Sequence, residues 1–268
     1  MPSLSEYLHS FAAVVVTGGS SGIGKSFISH IRKLDPEILI CNLSRRCPDN
    51  ADELKVRHFP CDLAQSDVLA RIMPELEAAL LANAQSARIL LLNNSGFGSY
   101  GIFPEPNLGH QLEMIDVNVR AVVDLTGRLL PLLRARGGAI VNIASTAAFQ
   151  PTPWMATYGA TKAFVLNWSL ALQEDLRGTG IQVLAVCPGP TATEFFRRAG
   201  LAEGNGADFL SQPVDEVVLS ALRALAAGRT QIVIGWKNKL GAIAGSIFPK
   251  PWVARIARRA IARYRLGR

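Results

Sequence analysis

Thr17-Gly18-Gly19-Ser20-Ser21-Gly22-Ile23-Gly24 is the stretch on which the reading of this chain turns. It directly follows an apolar, β-branched run over residues 12–17 and leads into a segment of helical apolar spacing near 26–34. Glycines let the backbone turn tightly and come close to a ligand, and the free N–H groups at a helix start favour an anion. An ordinary strand-to-helix connection could use the same residues. Placed after the first strand and before an apolar-faced helix, the loop favours a nucleotide pyrophosphate.

Working outward, short aliphatic runs alternate with longer helical patterns. Strands are expected over 12–17, 38–42, 56–59, 89–92, 139–143, 182–186 and 231–234, and helices near 26–34, 66–81, 110–136, 158–177 and 214–227. That alternation predicts β-α-β units, and continuously apolar strands such as Ile89-Leu90-Leu91-Leu92 predict a sheet covered on both faces. The fold class is therefore α/β, a Rossmann-type doubly wound parallel sheet of about seven strands. A single domain over 1–235 carries a C-terminal extension over 236–268. The crevice outside the carboxyl ends of the strands is where a ligand belongs.

With 268 residues, 49% of them hydrophobic, the chain is long enough for one core and too apolar for disorder. Four cysteines at irregular spacing and four histidines give no metal pattern and no disulfide framework, so reduced thiols and a cytoplasmic location are expected. The early apolar run 11–16 is too short for a signal-peptide core, and no apolar run reaches the length of a membrane span. The net charge is +7, yet residues 1–216 hold 17 Lys and Arg against 21 Asp and Glu, and the remaining 52 residues hold eleven basic and no acidic side chains. The basicity belongs to the tail.

After the second expected strand the chain reads Cys41-Asn42-Leu43-Ser44-Arg45-Arg46-Cys47, with no acid before Asp49. A carboxylate there would bind the ribose 2′-hydroxyl of NAD, whereas an arginine can hold a 2′-phosphate, so Arg45 points to NADP. Further on come Asn93-Asn94-Ser95-Gly96 after the fourth strand, Asn118 in a long helix, Ser145 past the fifth strand, and Tyr158-x-x-x-Lys162. A spacing of four puts Tyr158 and Lys162 on one helix face, where an ammonium can stabilise a phenolate. The other tyrosines are followed at that offset by Phe11, Pro104 and Arg268.

Taken together these motifs resemble the classical short-chain dehydrogenase/reductase family over about residues 12–235. Thr17 to Gly24 matches its TGxxxGxG loop, with Gly18, Ser20, Ser21, Ile23 and Gly24 as cofactor contacts. Asp62-Leu63 matches the adenine-contacting pair, and Asn94-Ser95-Gly96 matches NAG with Ser for Ala. Asn118, Ser145, Tyr158 and Lys162 match the catalytic tetrad, and Cys187-Pro188-Gly189-Pro190-Thr191 resembles the loop beside the nicotinamide, with Thr191 and Thr193 reaching the carboxamide or phosphates. The resemblance implies NADP(H)-dependent interconversion of a carbonyl and a secondary alcohol. Tyr158 would be the acid, its pKa lowered by Lys162 and the nicotinamide, Lys162 would also hold the ribose, Ser145 would polarise the carbonyl, and Asn118 would hold a relay water. A homo-oligomer, dimer or tetramer, built on the helices near 110–136 and 158–177, is typical of the family. The alternative is a non-catalytic NADP-binding protein.

The resemblance implies a lid over the substrate between Thr193 and Pro213. The aromatic and apolar residues there, Phe195, Phe196, Leu201 and Phe209, together with Phe97, Phe149 and Trp154, suggest an apolar pocket for a lipophilic substrate such as a 3-oxoacyl thioester or steroid-like ketone. In the tail, Trp252, Val253, Ile256, Ala257, Ala260, Ile261 and Tyr264 recur at helical spacing, with Arg255, Arg258, Arg259, Arg263 and Arg265 mostly opposite. This basic amphipathic helix admits three readings: peripheral contact with anionic membrane, docking on a partner subunit or on the core, and, least favoured, nucleic-acid contact.

Overall fold

Among the described residues seven strands, all parallel, form one sheet in the order β3-β2-β1-β4-β5-β6-β7. They are β1 (Phe11–Thr17), β2 (Leu39–Ser44), β3 (Val56–Pro60), β4 (Arg88–Asn93), β5 (Gly138–Ile143), β6 (Ile181–Cys187) and β7 (Gln231–Val233). This computed structural model describes residues 3–82, 88–191, 199 and 211–262. The order reverses between β1 and β4, and that switch point opens the crevice in which a ligand is expected.

Side-chain alternation explains why the strands are apolar throughout. Val14, Val16, Leu90 and Leu92 enter one core cluster, while Ala13, Val15, Ile89 and Leu91 enter another on the opposite face. Each such leucine or valine contributes about 1.5–3 kcal/mol by leaving water. Between β4 and β5, Asn93 lies opposite Asn142 in register. Asn93 donates to Asn142 Oδ1 (2.8 Å) and Thr126 Oγ1 (3.0 Å), and Asn142 donates to Ser169 Oγ (2.8 Å).

The helices are α1 (Leu4–Leu8), α2 (Gly22–Leu34), α3 (Val68–Ala82), α4 (Leu108–Ile115), α5 (Ala121–Arg136), α6 (Ala156–Asp175), α7 (Val214–Ala226), α8 (Trp236–Ile247) and α9 (Lys250–Ala262). All seven expected strands and the expected helices are present, with ends shifted by a few residues. The helix expected over 110–136 is divided: a π-helical segment, Asp116–Arg120, separates α4 from α5. Arg120 fixes that segment by pairing with Asp116 (2.7 Å) and donating to the carbonyls of Leu63 (3.0 Å) and Ala64 (2.9 Å). Neither α1 nor α8 was foreseen.

The tail helix forms as α9, but its apolar side is not one face. Ala257 is buried and Val253 half-buried, whereas Trp252 and Ile256 face outward. Trp154 Nε1 donates to the Arg258 carbonyl (3.5 Å), and the Arg258 guanidinium lies 5.9 Å from the Trp154 ring centroid, so α9 is docked on the core through its inner side. Arg263, Tyr264 and Arg265, and the side chains of Ala260 and Ile261, fall outside the described residues. Among the described residues, no helix is long and apolar enough to cross a membrane.

Candidate active site

The glycine loop between β1 and α2 is fastened on both sides. Gly18 N–H donates to Leu43 O (2.9 Å), and Gly19 N–H to Asn42 Oδ1 (2.8 Å), while Asn42 Nδ2 reaches Ser44 Oγ (2.9 Å) and His58 Nδ1 (3.0 Å). On the other side Thr17 Oγ1 accepts from the N–H groups of Asn94 (3.0 Å) and Ser95 (2.9 Å), and Asn94 Nδ2 donates to Thr17 O (2.9 Å) and Gly18 O (3.3 Å). Gly18 takes φ +71°, which glycine adopts without strain, and a Cβ at Gly24 would collide with the Gly18 carbonyl and the Asn94 amide. Ser21, at the N-cap of α2, is extended and makes no side-chain cap, so the first-turn amides of α2 are left for an anion. Ser20, Ser21 and Ile23 are half-buried along this cradle. The residues present fit a dinucleotide.

Arg45, just past β2, is exposed and only 3.9 Å from Glu113, an ion pair weak enough to yield to a phosphate. Asp62, after β3, accepts from Ala64 N–H (3.2 Å) in a local turn and does not cap α3, which starts at Val68. Leu63 is buried beside it.

The tetrad residues converge from three elements. Ser145 follows β5, caps a 3-10 turn (Thr146–Phe149) by accepting from Ala147 N–H (3.1 Å), and hydrogen-bonds the Tyr158 hydroxyl. Lys162, one turn along α6, donates to the Ile143 carbonyl (2.7 Å) with its Nζ 5.9 Å from the Tyr158 ring centroid. Thr161 joins the rest: it donates to Tyr158 O (2.7 Å) and accepts from Asn118 Nδ2 (3.0 Å). Asn118 sits in the π-helical segment, almost wholly buried, and also bonds both backbone groups of Phe97. Both Nδ2 hydrogens are thereby used, leaving only the second lone pair of Oδ1 for a water. Gly96 passes between Asn118 and Lys162, where a Cβ would press on both.

Electrostatics differ from the expectation in one respect. Burial pushes the Tyr158 hydroxyl up to about 12, opposed by its bond to Ser145, rather than Lys162 pulling it down. The reason is that burial also disfavours the ammonium: Lys162 is brought down to about 8, with the neighbouring Cys187 raising it. Cys187 itself is pushed up to about 12 by burial.

After β6, Pro188 O accepts from Thr146 N–H (2.9 Å), Thr191 Oγ1 donates to Gly189 O (3.0 Å), and Gly189 lies against the Asn238 side chain of α8. Thr193 and the expected lid aromatics Phe195, Phe196, Leu201 and Phe209 lie outside the described residues. At the start of α6 a cavity of about 280 Å³ is lined by Ile102, Phe103, Trp154, Met155, Thr157 and Arg258 among others, and Tyr158 is not in its lining. Trp154 holds a left-handed φ of +70°, costly for an aromatic residue, and lines this cavity. Phe97 instead packs on His110 (ring centroids 5.0 Å apart) and Phe149 on the Ala144–Val165 cluster. Among the described residues no group of three or more His, Cys, Asp or Glu could hold a metal ion.

Residues 12–203 match the family described as short chain dehydrogenase, which is more than half of the chain. The chain belongs to the short-chain dehydrogenase family. This dehydrogenase is 31% identical over 194 residues to sulfoacetaldehyde reductase 2 of Chromohalobacter salexigens, covering 68% of this chain and 73% of that one. It is 29% identical over 236 residues to the human very-long-chain 3-oxoacyl-CoA reductase, covering 82% and 71%. A short-chain dehydrogenase from Sphingobium yanoikuyae, solved in complex with NADPH, superposes with a TM-score of 0.72 at 27% identity over 96% of this chain and 97% of that one.

Three residues that position the dehydrogenase site escaped the sequence reading: Thr17, Asn42 and Thr161. Thr17 and Thr161 stand inside or beside quoted motifs, and Asn42 is a lone amide in an otherwise apolar strand, a signal that could have flagged it.

Proposed function

We propose that this oxidoreductase is an NADP(H)-dependent reductase of a lipophilic carbonyl, running reversibly as a secondary-alcohol dehydrogenase. The observation that carries the reading is the linked set Ser145–Tyr158–Thr161–Asn118, with Lys162 seated one helical turn from Tyr158. When bound, the nicotinamide supplies the hydride. Gly18, Ser20, Ser21, Ile23 and Gly24 cradle the pyrophosphate, Arg45 takes the 2′-phosphate, and Asp62 and Leu63 flank the adenine. Asn94, Pro188, Gly189 and Thr191 border the ribose and nicotinamide. NADPH in the solved short-chain dehydrogenase from Sphingobium yanoikuyae supports this choice.

The carbonyl oxygen becomes negative as it is reduced, and a proton must be ready there. Tyr158 holds that proton on its hydroxyl, and its high pKa keeps it protonated until charge develops on the oxygen. Ser145 polarises the carbonyl and orients Tyr158, Lys162 returns the proton and holds the ribose, and Asn118 positions Phe97 and Thr161. In oxidation Tyr158 is the base. A purely nucleotide-binding protein would have no use for a Tyr-Lys pair joined to Ser145, which argues against the non-catalytic alternative.

The lipophilic substrate is supported by the Trp154–Phe103–Ile102 lining and by the 3-oxoacyl-CoA reductase relative. A homo-oligomer is supported by the exposed apolar residues Leu112, Ile115, Val123 and Phe164 on α4, α5 and α6. A reducing, cytoplasmic setting is supported by Cys41, Cys47, Cys61 and Cys187, all free, and peripheral membrane contact through the basic extension that starts at residue 236 is part of the same location. The test is NADPH oxidation over ketones graded by chain length and ring number. Turnover rising with apolar size in the wild type and vanishing in Tyr158→Phe is expected; equal turnover in the variant overturns the mechanism.

A further inference from the structure

The two C-terminal helices turn small residues inward and large ones outward. On α8, Ala242 and Gly245 are buried, and a Cβ at Gly245 would press on Phe149 and Gln150. On the opposite side Trp236 (68% exposed), Leu240, Ile243 and Ile247 (73%) form one stripe, since their spacings of four, three and four bring them within about 60° of each other on a helix that turns about 100° per residue. The exposed Phe248 follows, and on α9 Trp252 (63%) and Ile256 (69%) continue the outward apolar row one turn apart. Burial of large apolar side chains is the default, so a run of this length left in water marks a contact surface.

Its charge says what it contacts. Lys237 and Lys239 flank the stripe of α8 on either side, and Arg255 and Arg259 border that of α9, all exposed. Lys250 is not among them, because it donates to the carbonyls of Phe149 (2.9 Å) and Gly245 (2.8 Å). No acidic residue follows Glu216. An apolar stripe with a tryptophan on each helix and lysine or arginine along its borders is complementary to a layer that is anionic at its surface and hydrocarbon beneath. At 12 and 13 residues the helices are too short to span such a layer and long enough to lie in it.

We propose that the outward face of α8 and α9 is a docking surface for anionic lipid, with Trp236, Ile247, Trp252 and Ile256 entering the acyl boundary and Lys237, Lys239, Arg255 and Arg259 meeting headgroup phosphates. The inner side of the same helix α9 walls, through Arg258, the cavity that Trp154 and Thr157 line at the start of α6. Docking therefore brings the cavity to the lipid surface, where an apolar carbonyl compound is concentrated. This names the lipid class and the residues for the membrane location read above. Delivery of substrate rests on the proposed reaction, whereas lipid binding does not and is measured without turnover.

The test is co-sedimentation of the full chain with vesicles of phosphatidylcholine alone and of phosphatidylcholine mixed with phosphatidylglycerol, at low and high salt. Binding to the anionic vesicles, weakened by salt and accompanied by a blue shift of tryptophan fluorescence, is expected. Each of Lys239→Ser, Arg255→Ser and Arg259→Ser should weaken it by about fivefold, and the triple variant Trp236→Ser/Trp252→Ser/Ile256→Ser should no longer co-sediment with the anionic vesicles while its circular dichroism and NADPH binding stay unchanged. Protein that stays in the supernatant with both vesicle types overturns the proposal. So does loss of oligomer in the triple variant, by sedimentation velocity, with no vesicle binding by the wild type; the face then belongs to a second copy.

Discussion

Asn118 grips Phe97 on both sides of its backbone, accepting from its N–H at 3.1 Å and donating to its carbonyl at 3.0 Å, with the remaining Nδ2 hydrogen on Thr161. A side chain one residue deep inside a helix thus sets the loop after β4 and the backbone of Tyr158 at once. Asn118→Ala leaves these buried groups unpaired and should cost about 3 kcal/mol of stability, with kcat lowered roughly 10–100-fold by misplacement of Tyr158. Asn118→Asp, although isosteric, replaces both donors with acceptors and should do no better than alanine. Denaturant melts and kcat on one ketone measure both; an active, wild-type-stable Asn118→Asp would show that the clasp is unimportant.

Gly24→Ala places a methyl group on the Gly18 carbonyl and the Asn94 amide. Overpacking of this kind costs about 1–3 kcal/mol, and NADPH affinity should fall more than the stability does, because the cradle itself is displaced. Gly241→Ala is the contrast. Its Cβ meets nothing within 4 Å inside α8, so helix propensity alone should raise stability by about 0.5–1 kcal/mol. Thermal melts with and without NADPH separate the two.

Arg45 stands exposed at the end of β2, held only by a 3.9 Å pair to Glu113. Charge-assisted bonds to a phosphate contribute about 1.5–3 kcal/mol, so Arg45→Asp should lower the ratio of kcat/KM for NADPH over NADH by about 10–100-fold or more. An unchanged ratio removes Arg45 from the 2′-phosphate site.

Lys162 is carried at about 8 in the fold against an ordinary value near 10.5, because burial disfavours its charge. Between those values the unfolded chain binds the extra proton, so stability contributed at this residue rises with pH. Below pH 8 the charge penalty is present in full; it fades as pH climbs from 8 to 10.5. Wild type should therefore gain on Lys162→Met by an amount on the order of 3 kcal/mol over that window. Tyr158, raised to about 12, works oppositely and only above pH 10. Melting temperatures of both proteins in a pH series give the difference directly, and parallel curves from pH 8 to 10 would refute the assignment.

How far the sequence carries can be judged from these same residues. The strands were readable because both faces are buried, which leaves Ile89-Leu90-Leu91-Leu92 no polar position to hide it. The tetrad and glycine loop were readable as spaced motifs. The π-helical segment was not, since one wide turn in Asp116–Arg120 shifts the apolar period too little to register over five residues. The α8 helix was missed because its apolar spacing lies on the outside, where pattern reasoning expects polar residues. By contrast, α1 could have been found from Ser3 and Glu6, which form its capping box. The fall of Lys162 and rise of Tyr158 depend on burial, which spacing does not reveal.

The facing amides Asn93 and Asn142 have a consequence for how the chain finds this fold. In a parallel sheet of interchangeable Val, Leu and Ile, a one-residue slide of β4 against β5 would cost little in apolar contact. Here the slide would set Asn93 against Val141 or Ile143 and strand amide groups in a dry interior, each at about 1–3 kcal/mol. The pair works as a key in a keyway. It rejects misaligned sheets during assembly, and by doing so it fixes the height at which β4 and β5 deliver Asn94 and Ser145 to the crevice.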